Sequence, residues 1–116
     1  MKRLYNVLIP TLFLSSLYSF QPQTKEELQT AVDLWVSDNA SALATYGEIN
    51  AWDVSLITDM IDLFRNKTFN DDISDWDVSN VTTMIAMFRG TNGFNQDLNS
   101  WAVSYTHLTL PTRTRV

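Results

Sequence analysis

The chain of 116 residues is 45% apolar and 18% charged, with 13 acids, 8 bases and no cysteine. That composition allows one modest domain and excludes a disulfide-stapled miniprotein, a thiolate zinc site and a cysteine nucleophile. Four bases lie near the ends (Lys2, Arg3, Arg113, Arg115), so residues 24–104 hold four bases and all 13 acids, a net charge of −9; nucleic acid is disfavoured as a partner, because its binding rests on Lys and Arg displacing counterions.

Residues 1–20, MKRLYNVLIPTLFLSSLYSF, place two positive charges ahead of an apolar run from Leu4 to Leu14, followed by serines. This is the layout of a secretory signal peptide, with a cut after Ser19 leaving Ser and Leu17 at the last and third-last positions. The run is interrupted by Asn6, Pro10 and Thr11, whereas a spanning helix needs about 20 predominantly apolar residues. An uncleaved anchor and a buried N-terminal helix are the alternatives. The leader is the one membrane-directed element and places the rest in a secreted or cell-surface setting.

Residues 21–47 read as a helical cap. Thr24 followed three residues later by Glu27 is the reciprocal capping arrangement. Leu28, Ala31, Val32 and Trp35 then fall at i, i+3, i+4 and i+7 and predict an amphipathic helix of about 13 residues. A second helical piece is expected over Ser41 to Tyr46, stopped by Gly47.

From Ile49 onward the chain repeats itself. Ile49-Asn50-Ala51-Trp52-Asp53-Val54-Ser55 recurs as Ile73-Ser74-Asp75-Trp76-Asp77-Val78-Ser79 and as Leu98-Asn99-Ser100-Trp101-Ala102-Val103-Ser104, the tryptophans lying 24 and then 25 residues apart. Ile57-Thr58, Met60, Leu63-Phe64-Arg65 and Phe69-Asn70 align with Val81-Thr82, Met84, Met87-Phe88-Arg89 and Phe94-Asn95. The extra residue falls between the phenylalanines, where an insertion marks a surface loop. Trp76 and Val78 flank Asp77 with the period of a strand. Val81, Met84, Met87 and Phe88 have the spacing of two helical turns, with Ser79 as N-cap. Residues 48–104 therefore predict an α/β fold, a short solenoid of strand-turn-helix units with an N-terminal capping helix, holding two full repeats and the start of a third.

The motif W-D-V-S-x-[VI]-T-x-M-x-x-[LM]-F with the linking F-N-x-D-[IL] resembles the BspA family of leucine-rich-repeat-like surface proteins, also described as carrying a bacterial surface protein repeat. The resemblance spans Thr24 to Ser104. It implies export, a leucine-rich-repeat-like solenoid, and a role in adhesion and protein binding; it brings no catalytic residues. The tail, residues 105–116, leaves the pattern. Its string SYTHLTLPT is similar to translated adapter ends on truncated metagenomic reading frames, which implies an artefactual tail on an N-terminal fragment; an irregular native cap is the alternative.

His107, the single histidine, would have to serve any histidine-based catalysis or metal binding, and it lies in that tail. Asp71, Asp72, Asp75, Asp77 and Asp97 are the acids to weigh as calcium ligands, with Asp71, Asp72 and Asp97 the metal candidates, since calcium takes six to eight oxygens. Against this, no EF-hand loop is present and Asp and Asn readily close turns on their own backbone. Trp52, Trp76 and Trp101 form a ladder, read as core in preference to a ligand platform because the valine two residues on is in phase with each. Positions that differ between repeats, Asn66, Lys67, Thr68, Thr91 and Asn92, are the expected partner-binding residues.

The sequence thus predicts a non-enzymatic, cofactor-free surface repeat protein that binds a protein or a cell-surface polymer. A calcium-stabilised extracellular module is the first alternative and a secreted carbohydrate-active enzyme the second.

Overall fold

The computed structural model describes residues 19–101; the expected leader, apart from Ser19 and Phe20, and the tail with His107 lie outside the described residues. Helix α1 spans Lys25–Ser37 and helix α2 Asn39–Tyr46, followed by a 3-10 turn at Ile49–Ala51. The N-cap Thr24 accepts from the Glu27 amide at 3.1 Å, while the Glu27 carboxylate accepts from the amide of Gln23, one residue earlier than the usual reciprocal partner. Leu28, Ala31, Val32 and Trp35 are buried, the stripe expected from their spacing. Asp38 caps α2 by accepting from the Ser41 amide and hydroxyl. Gly47 ends it at φ +80°, a backbone state glycine adopts without steric cost. Among the described residues no helix is long and apolar enough to cross a membrane.

The strand-turn-helix solenoid is not what the repeats form. Between the 3-10 turn and Trp101, residues 52–100 contain no helix and no strand, only two isolated parallel bridges, Asp59 with Thr83 and Thr68 with Asn92. The segment expected to be helical is instead a run of i to i+3 turns. The amides of Leu63, Arg65 and Lys67 donate to the carbonyls of Met60, Asp62 and Phe64, and those of Met87, Arg89 and Thr91 donate to Met84, Ala86 and Phe88. Asp62, Asn66, Ala86 and Gly90 have φ between 59° and 71°. A left-handed residue at every fourth position interrupts the i to i−4 ladder that a helix requires.

The intervening amides pair outward. Met60, Asp62, Phe64 and Asn66 donate to the carbonyls of Thr83, Ile85, Met87 and Arg89 in the next repeat, at 2.9–3.1 Å. Over residues 60–67 the amides of Leu63, Arg65 and Lys67 thus close turns within the repeat while the even-numbered ones join it to its neighbour. The expected strand fails for a related reason: the Trp-Asp-Val segments are divided by turns, Trp76 N–H to the Ile73 carbonyl and Val81 N–H to Val78. Ser79 is not a helix cap; its amide and hydroxyl both donate to Asp77.

Side chains nevertheless point where the periodicity places them. Trp52, Trp76 and Trp101 are buried and stack with centroids 6.4 and 6.5 Å apart. Each indole N–H donates to a carbonyl, Trp76 to Ile49 and Trp101 to Ile73, so the ladder carries its own polar satisfaction. Phe64 stacks on Phe88, and Phe69 on Phe94. At the N-terminal end Phe20, Tyr46 and Trp35 surround the ring of Trp52. Helix α1 closes the adjoining edge of the first repeat: Lys25 donates to the Ile61 carbonyl and Gln29 to that of Leu63.

Candidate functional site

An open groove of about 650 Å³ runs between the helical cap and the loop edge of the repeats. Trp35 and Val36 of α1, Asn39 and Leu43 of α2, and Glu48 form the cap side. Thr68, Phe69, Asn70 and Asp71, with Asn92 and Gly93, form the other. The two sides are held together by Trp35, whose indole N–H donates to Asp71 Oδ2 at 2.7 Å. The residue inserted in the second repeat therefore opens onto this groove, with Gly93 at φ +82°.

Of the five expected partner-binding residues, two reach the groove. Thr68 and Asn92 face each other across their parallel bridge. Asn66 occupies a left-handed turn position, Lys67 pairs with Asp33 of α1 at 3.0 Å, and the Thr91 hydroxyl donates to the Phe64 carbonyl; these three are bound into the framework. The cap side, Val36, Asn39, Leu43 and Glu48, is missing from the sequence reading. Its one signal was Leu43, an apolar residue outside the buried stripe, which is 45% exposed.

The three acids singled out as calcium candidates are not gathered. Asp71 lines the groove, while Asp72 and Asp97 line a separate hollow of about 340 Å³ with Ser74, Gln96, Asn99 and Ser100. Among the described residues no group of three or more His, Cys, Asp or Glu side chains is placed to hold a metal ion. The acids serve turns instead: Asp53, Asp72, Asp77 and Asp97 each accept from the amide two residues on. These bonds favour the charged form. The Ser79 hydroxyl and then its amide hold Asp77 below the usual carboxylate range. The Ser74 amide and then its hydroxyl do so for Asp72, and the Ser41 hydroxyl and then its amide for Asp38.

Fold and groove together define a small acidic domain in which a helical cap closes a stack of turn-built repeats and shares a cleft with their variable edge. The chain belongs to the DUF285 family, described as Mycoplasma protein of unknown function, whose model matches residues 27–109. No curated protein and no solved structure matches the chain.

Proposed function

We propose that the chain is a non-enzymatic binding domain of the secreted or cell-surface space, akin in role to BspA-type surface repeats, and that its groove takes a protein or a cell-surface polymer. The observation that carries this reading is the position of Thr68, Asn92 and Gly93. The repeats differ most in length and composition at these residues, and they line a cleft whose opposite wall, Val36, Asn39 and Leu43, belongs to the cap. Substitution there alters what the cleft presents without touching the buried ladder, which is how repeat folds vary specificity on a fixed core. The leader-like residues 1–20 support export.

Binding of the full chain to immobilised matrix proteins and cell-wall polysaccharides, followed by interferometry beside Leu43→Asp and Asn92→Arg variants, tests the proposal. Saturable binding that both variants lose while keeping the parent circular dichroism spectrum is expected. Undiminished binding by both variants, or no saturable binding to any surface, would overturn it.

A further inference from the structure

The groove has a charge character that narrows its partner. Its two ionisable residues, Glu48 and Asp71, are both acids. None of the three ion pairs among the described residues uses either one: Lys25 pairs with Asp59, Arg65 with Asp62 and Lys67 with Asp33. Trp35 occupies one oxygen of Asp71; no hydrogen bond engages its other oxygen or the Glu48 carboxylate among the described residues. Beside these carboxylates stand the half-buried Val36 and the exposed Leu43. The Thr68 hydroxyl and the Asn92 side-chain amide are also without a hydrogen bond among the described residues.

We propose, on the basis of the groove being the binding face, that its partner is an extended basic polypeptide in which Lys or Arg is interspersed with apolar residues. A lysine or arginine side chain combines an aliphatic stem with a cationic head, and the groove offers an apolar wall next to uncompensated carboxylates. The Thr68 hydroxyl and Asn92 amide supply donors and acceptors for the backbone of such a peptide. Anionic polymers are repelled by the same carboxylates, and a neutral glycan leaves them without counter-charge. The excess of 13 acids over four bases between residues 24 and 104 adds a field that steers cations toward the domain and is screened by salt.

Fluorescence anisotropy with the full chain and a labelled Lys-Leu-Gly repeat peptide, alongside a twin in which Ser replaces every Lys, tests the proposal. The Lys peptide should bind saturably and at least about tenfold more tightly than its twin, the gap closing at high salt. Glu48→Gln/Asp71→Asn should abolish that preference, the new side-chain amide at position 71 retaining an acceptor oxygen for Trp35. Glu26→Gln/Asp62→Asn, which removes the same charge away from the groove, should leave affinity within about twofold. Equal loss in the two double variants overturns the proposal, because only the general field is then at work. Binding of both peptides alike, lost in Asn92→Arg, overturns the basic preference and leaves the groove as a binding face. Binding of neither peptide overturns the basic partner alone, since the immobilised-surface assay decides the groove separately.

Discussion

Ala86 offers a substitution whose sign separates the observed repeat from the helix its sequence suggests. Its φ is +59°, the third residue of a turn closed by Met87 N–H to the Met84 carbonyl. A left-handed conformation costs an L-residue about 1–2 kcal/mol, a cost that glycine escapes. Ala86→Gly also gives the unfolded chain more freedom, which offsets about 0.4–1 kcal/mol of that gain. The net expectation is a stabilisation of about 0.5–1 kcal/mol, or a rise in melting temperature of about 2–8 °C in a domain of this size. Were residues 81–88 helical, the same change would destabilise by about 0.8–1.0 kcal/mol. Thermal melts followed by circular dichroism, with urea midpoints as a second measure, read the difference directly. The reciprocal variant Gly90→Ala should move the other way, since Gly90 has φ +71° and an added Cβ would stand 2.2 Å from Asn66 Oδ1. A lower melting temperature for Ala86→Gly, with Gly90→Ala neutral, would refute the turn-based account of the repeat.

The remaining expectations concern the ladder, the cap and acid. Trp76→Ala, which removes a ring stacked on both faces together with its donor to the Ile49 carbonyl, should cost about 3–5 kcal/mol in urea unfolding; a loss under about 1 kcal/mol would show that the stack does not hold the repeats together. Gln29→Ala exposes the Leu63 carbonyl that α1 covers and should destabilise by about 1 kcal/mol, measured the same way, with no effect counting against α1 as an edge cap. The lowered carboxyls of Asp38, Asp72 and Asp77 contribute stability above the ordinary carboxylate value and lose it as pH falls through their lower folded values. The melting-temperature gap between the parent and Asp77→Asn should therefore be constant above about pH 5 and narrow below about pH 4; a gap that widens on acidification would contradict the Asp77–Ser79 bonding.

Helix α1 was legible because two independent local signals agree there: Thr24 with Glu27 marks the start, and Leu28, Ala31, Val32 and Trp35 share one face. The repeat boundaries and the buried side chains were legible too, since the alignment of Trp52, Trp76 and Trp101 needs no assumption about backbone conformation. The backbone between them was not. Met60, Leu63 and Phe64 lie at i, i+3 and i+4, a spacing met by an α-helix and equally by consecutive turns that bring every third or fourth residue inward. What decides between them is hydrogen bonding across repeats, invisible in any one of them. A local hint existed in Asn66 and Gly90, which occupy equivalent positions and both favour the left-handed region; Ala86 gives no such hint. Half of the groove was hidden for a further reason, since its cap wall is separated in sequence from Thr68 by most of one repeat and from Asn92 by most of two, and meets them only once α1 has docked.

That docking links stability to the proposed recognition. The carbonyl row on the near edge of the first repeat is the counterpart of the row that Thr83, Ile85, Met87 and Arg89 offer to the repeat before them. With no preceding repeat to donate, α1 substitutes side chains for backbone amides, Lys25 at Ile61 and Gln29 at Leu63, and Lys67 ties the repeat back to Asp33. The same helix carries Trp35, whose bond to Asp71 fixes the groove's width at one point. A change that loosens α1 must therefore act twice, exposing a row of carbonyls and unseating the cap wall of the groove. Gln29→Ala, remote from the groove lining, should lower stability first and weaken ligand capture only under conditions where α1 begins to detach. Leu43→Asp, on the exposed wall, should weaken capture with stability intact. The two effects separate because Gln29 braces α1 against the first repeat away from the groove, whereas Leu43 stands on the groove wall itself.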